Sequence, residues 1–444
     1  MTIFALSTAT VKSGIAIIRI SGPDTTAVLK KIIKNELPEP RKATLKKFYK
    51  IEKNELIDQG IVLWFPKPNS YTGEDLAELH IHGSKSVIRA ILSTISKVDN
   101  CRLAEPGEFT KLAYENGKIN LLDVEALSDL ISSETEIQRK QAIKILSGDA
   151  TKKYTNLRNR LLKILSNIEA KIDFPEEDLP EDVLKNIKFE TKEIINLIND
   201  VLNDGRIGEK IRDGFKISIL GPTNAGKSTL LNYLSKREVA IVSNIEGTTR
   251  DLIEVSLNLD GYPVIITDTA GLRETSDEIE NRGVELALKS AKNADLKIIL
   301  LDAKNPYFTT FLDDISDENS LLVLNKSDLI VGTSKIDNLN LKKHILISLK
   351  EELNLDNLIN EIKKRLKDKF LINDNVLISR ERHRLNLEKC ILHLNVFLEN
   401  NSINEIDKAA EDLRIATRYL GKVVGDVDVE EVLGKIFSDF CIGK

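Results

Sequence analysis

The chain reads as a multidomain α/β protein in three parts: an N-terminal α+β domain, an all-α helical domain, and a doubly wound α/β domain inserted into those helices. Three observations predict this. The β-branched run Lys216-Ile217-Ser218-Ile219-Leu220 leads into a glycine-bounded loop, and Ser228 to Leu234 continues at helical pitch. Apolar residues recur at helical spacing on both sides of that unit. Residues 1–118 instead mix short strands and helices under Gly/Pro punctuation, as at Ser21-Gly22-Pro23 and Pro66-Lys67-Pro68-Asn69.

Taken in order, Ile15–Ile20 and Gly60–Phe65 are strand-like runs of the first domain, 1–118. From Leu121 the period becomes helical, with Leu122, Ala126 and Leu130 on one stripe and Leu161, Leu165, Ile168 and Ile172 on another. Asp173–Pro180 breaks the pattern. A third helix carries Ile194, Leu197, Ile198 and Val201 and stops at Gly205. The α/β segment occupies 212–368. Helical spacing then resumes at Leu385, Leu392 and Val396, and again at Leu413, Ala416 and Leu420, so the helical domain is 119–211 with 369–444. An insertion of this kind needs a guest whose termini lie close together, which a doubly wound domain provides.

Composition bounds the function. At 444 residues the chain is too long for one core, and a net charge of −5 gives no bulk attraction to nucleic acid, so any RNA contact must use a local patch. Three scattered cysteines make no disulfide framework and fit a reducing cytosol. The N-terminus lacks a basic, apolar leader and no run approaches a membrane span, so the expectation is a cytoplasmic protein with no membrane partner.

The chemistry begins at Gly221-Pro222-Thr223-Asn224-Ala225-Gly226-Lys227-Ser228, a complete G-x-x-x-x-G-K-[ST] loop between strand and helix. That order aims backbone N–H groups of Asn224 to Thr229 and the helix N-terminus at phosphates. Lys227 would reach the β- and γ-phosphates and Ser228 would coordinate Mg²⁺. Thr249, in Gly247-Thr248-Thr249-Arg250-Asp251, is the second magnesium ligand. Alternating residues Leu252–Leu259, an Asp260-Gly261 turn and a returning strand to Thr267 predict a hairpin ending in Asp268-Thr269-Ala270-Gly271. Asp268 would hold magnesium through water, and the Gly271 N–H would approach the γ-phosphate.

Asn325-Lys326-Ser327-Asp328 selects the base. The acceptor-only carboxylate of Asp328 matches two N–H donors on one edge of guanine, whereas adenine lacks the ring N–H. Asn325 and the Lys326 stem would pack the other side, and Ser348-Leu349-Lys350 is the base-contact loop, with Leu349 where many GTPases have alanine. The inserted domain is therefore read as a Ras-like phosphate-loop GTPase.

Ras-like enzymes orient the attacking water with a glutamine after the glycine equivalent to Gly271. Here that position is Leu272. Glu274, Asp277, Glu278 and Glu280 are the alternatives in the same loop, and neither Arg250 nor Arg273 stands out as an arginine finger.

Over its whole length the chain resembles the tRNA-uridine-modifying GTPases called the MnmE or TrmE family. Besides the GTPase motifs, the resemblance rests on Ile18-Arg19-Ile20-Ser21-Gly22, on Tyr71-Thr72-Gly73-Glu74-Asp75 running to Glu78-Leu79-His80-Ile81-His82-Gly83, on Glu105–Thr110, and on the terminal Cys441-Ile442-Gly443-Lys444. It implies an N-terminal domain that dimerises and binds a formyl-tetrahydrofolate. It also implies an FAD-dependent partner of the MnmG/GidA type, joined in a heterotetramer, that helps install an aminomethyl-type group on C5 of the wobble uridine of certain tRNAs. By position, Arg19, Glu78, Lys118 and Lys444 would hold the folate, and Cys441 would take part in the modification.

The resemblance further implies that G domains meet across a potassium ion held by Asn224, Ser243, Ile245 and Thr248, in place of an arginine finger. Glu280 matches the water-orienting position. Thr223 departs from the proline usual in relatives.

Cys441 lies fourth from the end, but glycine at 443 and lysine at 444 argue against prenylation. His80 and His82, on alternate positions with no third ligand, read as structural, and Cys101 and Cys390 as packing residues. A different class of function, a regulatory or ribosome-assembly GTPase switch, would require an RNA-binding module beside the nucleotide domain, and none is legible.

Overall fold

A computed structural model of the chain describes residues 1–34, 36–173, 181–237, 239–241, 253–268, 288–304, 306, 314–330, 344–370, 377–399, 406–427, 433–434, 436–437, 440 and 442–443. They form two compact units: residues 1–128 with 148–159 and 417–444, and residues 129–147 with 160–416.

The first unit is built on a six-stranded sheet in the order β3-β4-β5-β2-β1-β6, where β1 is Thr2–Leu6, β2 Ser13–Ser21, β3 Thr44–Tyr49, β4 Leu56–Phe65, β5 Leu76–Gly83 and β6 Cys101–Leu103. The strands predicted at 15–20 and 60–65 lie within β2 and β4. Period-two alternation decides which residues go inward. Ala16, Ile18 and Ile20 of β2 and Ala77, Leu79 and Ile81 of β5 are buried beneath helices α1 (Thr25–Ile33) and α2 (Lys85–Ile95), which contribute Val28, Leu29, Ile32, Ile88, Ile91 and Ile95. Each buried Val, Leu or Ile among them contributes about 1.5–3 kcal/mol by leaving water. The same alternation turns Arg19, Glu78 and His80 to the opposite face. The Ser84 hydroxyl caps α2 by accepting from the Val87 N–H at 3.3 Å.

The second unit carries a seven-stranded sheet in the order β13-β12-β11-β7-β10-β9-β8. Here β7 is Phe215–Leu220, β8 Val239–Ile241, β9 Ile253–Leu259, β10 Tyr262–Asp268, β11 Leu296–Asp302, β12 Ser320–Asn325 and β13 His344–Leu346. Five strands run parallel, and β9 pairs antiparallel with β10 about the predicted Asp260-Gly261 turn, both residues at positive φ. Apolar residues cover both faces of the sheet, which makes it doubly wound. β7 lies between β10 and β11, so the loop after Leu220 opens at the point where strand order reverses, the usual ligand crevice of such sheets.

Long helices complete this unit, among them Glu181–Leu202 and Glu381–Glu399, which pack together. Arg384 is buried between them and the following turn. It donates to Asp204 at 2.6 Å, to Glu209 at 3.2 Å and to the Leu202 carbonyl at 2.9 Å. Burying a guanidinium is tolerated because two carboxylates and a carbonyl replace its water. Among the described residues, no helix is long and apolar enough to cross a membrane.

Candidate functional site

The nucleotide loop forms between β7 and helix Lys227–Arg237. Asn224 in this loop adopts a left-handed φ of 64°, a conformation asparagine takes more readily than most residues. Lys227 is only 7% exposed, and its ammonium donates to the carbonyls of Gly221 at 2.8 Å and Pro222 at 2.9 Å. Those oxygens hold it at the loop mouth, within reach of an incoming phosphate. Asn224, Ser228 and Thr229 are exposed there, while Ala225 is buried.

Asn325, at the end of β12, is 4% exposed and grips this loop from a hundred residues away. Its Nδ2 donates to the Ala225 carbonyl at 2.8 Å, and its Oδ1 accepts the Leu349 N–H at 3.1 Å. Gly226 must be glycine for this contact, because a Cβ would lie 2.5 Å from Asn325 Nδ2. Lys326 takes a left-handed φ of 65° and its ammonium pairs with Asp302 at 2.7 Å. Burial pushes the Asp302 carboxyl up, but the Lys326 hydrogen bond and charge outweigh it and hold Asp302 below its ordinary value. Ser348 Oγ donates to Asp328 Oδ1 at 2.5 Å and accepts the Glu351 N–H at 3.2 Å, so the Asp328 carboxylate is held by the next loop.

Thus the predicted Asn224–Thr229 segment, Asn325, Lys326, Asp328 and Ser348 converge on one end of the sheet. Asp268 ends β10 beside β7, in register with Ile219. Ser243, Ile245, Thr248, Thr249, Arg250, Thr269, Ala270, Gly271, Leu272, Arg273, Glu274, Asp277, Glu278, Glu280, Cys441 and Lys444 lie outside the described residues, as does the side chain of Asp268. The loop fits a nucleotide phosphate: its lysine satisfies itself on loop carbonyls and its floor admits no side chain at 226. For a cation beside it, Asn224 and Ser228 are the described oxygen donors.

A second cluster occupies the outer face of the six-stranded sheet. Arg19 and Glu78 stand opposite each other on β2 and β5. Arg19 Nε and Nη2 both donate to Glu78 Oε1, at 3.1 and 2.8 Å. The guanidinium stands over the Tyr71 and Phe109 rings, 5.5 and 5.6 Å from their centroids, geometry that suits cation–π attraction. Burial pushes the Tyr71 phenol up, opposed by its Thr110 hydrogen bond and the Arg19 charge. His80 Nε2 faces Glu78 Oε2 at 3.6 Å. Lys118 lies along the same Tyr71–Asp75 loop, where a Cβ on Gly73 would meet its Cε at 2.9 Å. Arg19 Nη1 also reaches the Gly443 carbonyl at 3.4 Å.

Sequence reasoning missed Asp302, the loop-gripping role of Asn325, and the Tyr71–Arg19–Phe109 stack. Tyr71 and Phe109 do lie inside the two motifs that flag this region, but nothing local announces a ring against a guanidinium 52 or 90 positions away.

Residues 2–118 match the model of the GTP-binding protein TrmE N-terminus, and residues 121–441 match the MnmE helical domain. The tRNA modification GTPase MnmE of Pelagibacter ubique is 60% identical over 446 residues, covering all of both chains. Those of Rickettsia bellii and Rickettsia typhi are 43% and 42% identical, again over the full length of each. These matches cover the chain from end to end, and the chain belongs to the MnmE (TrmE) family of tRNA modification GTPases.

Proposed function

We propose that this protein hydrolyses GTP to drive modification of C5 of the wobble uridine in certain tRNAs, adding an aminomethyl or carboxymethylaminomethyl group with a one-carbon tetrahydrofolate as donor. It works in the cytoplasm as a homodimer with an FAD-dependent MnmG-type partner. Its organisation is a folate-binding domain at 1–118, a helical domain at 119–211 with 369–444, and a G domain at 212–368. The observation that carries this reading is the Arg19–Glu78 pair on neighbouring strands, with Arg19 also reaching the tail carbonyl of Gly443, in a chain that holds a complete guanine-nucleotide loop.

At the folate face, Glu78 accepts from pterin N–H groups, while Arg19, Lys118 and Lys444 suit a carboxylated ligand. Arg19 and Glu78 neutralise each other in the absence of ligand, so a pterin must exchange one contact for another, while the Tyr71 and Phe109 rings flank the planar guanidinium. Cys441 acts in the transfer chemistry.

At the nucleotide face, Lys227 leaves the Gly221 and Pro222 carbonyls for phosphate oxygens. Ser228 and Thr249 would hold magnesium, with Asp268 supporting it. Asn224, Ser243, Ile245 and Thr248 would hold a monovalent cation, which would supply the positive charge that an arginine finger gives elsewhere. Glu280 orients the attacking water through a second one, and the amides of Thr269 to Gly271 follow the γ-phosphate.

Deleting Cys441 to Lys444 tests the reading. Mass spectrometry of tRNA from cells carrying only the truncated chain should find unmodified wobble uridine, while purified truncated protein hydrolyses GTP at the full rate. Normal wobble uridine in those cells would refute it. A pure switch or assembly GTPase predicts no change in tRNA from any variant.

A further inference from the structure

We infer that Ser7 and Gly443 form a latch that seats the C-terminal segment on the end of β1 and, through one shared carbonyl, fixes the Arg19 guanidinium. Ser7 is a positioning residue for the chemistry at the folate face. The inference rests on the folate reading above.

The Gly443 carbonyl accepts two hydrogen bonds, from Ser7 Oγ at 2.9 Å and from Arg19 Nη1 at 3.4 Å. Ser7 is anchored in turn, because its N–H donates to the Ile17 carbonyl at 2.8 Å and so continues the β1–β2 ladder. With Nε and Nη2 on Glu78, the contact to Gly443 occupies the third guanidinium nitrogen. Arg19 is therefore aimed by a carboxylate on one side and by the tail on the other. If the tail lifts, that third contact is lost and the plane of the guanidinium is free to turn about the Glu78 pair.

Only glycine permits this approach. Residue 443 has φ of 95°, and a Cβ there would lie 2.4 Å from the Leu6 carbonyl oxygen and 2.8 Å from Ser7 Cα. Both are backbone atoms at the end of β1 and cannot easily give way. One residue earlier, Ile442 makes an antiparallel bridge to Pro106, yet its side chain is 58% exposed. Backbone pairing and the Ser7 hydroxyl, not apolar burial at Ile442, hold this stretch. Segments held in this way open at small cost, so a single hydrogen bond shifts the docked fraction measurably. Cys441 and Lys444 flank Ile442-Gly443 in sequence, so docking of these two residues limits where both can reach.

The test is removal of the terminal lysine from the intact protein by carboxypeptidase B. Its rate tracks the undocked population when redocking is fast. Ser7→Ala should speed release about fivefold, the effect of one net hydrogen bond, and Ser7→Thr should restore it. Gly443→Ala, which cannot dock without moving Leu6, should speed release more than Ser7→Ala. In the reconstituted modification reaction Ser7→Ala should raise the apparent KM for formyl-tetrahydrofolate with little change in kcat, again rescued by threonine. GTP turnover serves as the check on folding. Wild-type release rates in both Ser7→Ala and Gly443→Ala would overturn the latch, as would a threonine variant that behaves like alanine. If the chain lacking residues 441–444 still modifies tRNA, the folate reading fails. If that deletion abolishes modification while both point variants release lysine at the wild-type rate, the latch alone fails.

Discussion

Asn325 Nδ2 donates to the carbonyl of Ala225 at 2.8 Å, joining the Asn325–Asp328 segment to the loop between β7 and the following helix. The two halves of the nucleotide site are thus one hydrogen-bonded piece, completed by the Leu349 N–H on Asn325 Oδ1. Asn325→Ala removes both contacts and leaves a buried acceptor and a buried donor unpaired, each costing about 1–3 kcal/mol. GTP and GDP affinity should fall roughly 10- to 100-fold or more, measured by titration with a fluorescent nucleotide.

Asp328 should set the choice of base. Ser348 holds one of its oxygens at 2.5 Å, leaving the other side of the carboxylate for guanine. Asp328→Asn replaces an acceptor with an amide donor, which suits the C2 carbonyl of xanthine instead of the guanine amino group. GTP hydrolysis at subsaturating nucleotide should drop at least about a hundredfold, and xanthosine triphosphate should become the better substrate. Competition between the two nucleotides checks this.

The water and charge machinery is tested by kinetics. GTP turnover should be faster in potassium than in sodium, because Leu272 cannot orient water and the loop offers Asn224 for a cation; equal rates would contradict the cation reading. Glu280→Ala should leave GTP affinity nearly intact and slow turnover by roughly a hundredfold or more. Undiminished turnover would move the role to Glu274, Asp277 or Glu278.

Glu74 offers a pH-dependent prediction. Burial is the main influence on its carboxyl and pushes it above the ordinary 4.5, and its Oε2 is buried with no hydrogen-bond partner. The folded state therefore favours the neutral acid. That preference stabilises fully below the unfolded-state value and is lost as pH rises through the folded-state value. Glu74→Gln should be more stable than wild type at pH 7.5, with the gap closing as pH falls toward 4.5. Trp64 is the single tryptophan and lies in β4, so its fluorescence in a denaturant titration reports on this sheet.

The thiol of Cys390 bears on how far sequence reading reaches. Its small size and apolar surroundings predict a packing residue, and it is fully buried, with burial pushing its pKa up to about 12. Helical spacing did not give that result: the stripe it suggests here, Leu385 and Leu392, is 48% and 59% exposed. The buried face of the helix is instead Leu387, Cys390, Leu394 and Phe397, because packing against neighbouring helices decides which apolar stripe turns inward.

Local order alone determined much of this protein. The strand–loop–helix unit, the hairpin at Asp260-Gly261 and the alternation that turns Arg19 and Glu78 to one face follow from short-range sterics and period, which neighbouring residues fully specify. Tertiary structure decided which distant groups meet. The grip of Asn325 on Ala225 spans 100 positions, the pairing of Arg19 with Glu78 spans 59, and the Ser7–Gly443 contact spans 436. The physical reason is that hydrogen-bond partners across strands depend on sheet order and register, which are set by packing of the whole core and leave no mark on the residues beside each partner.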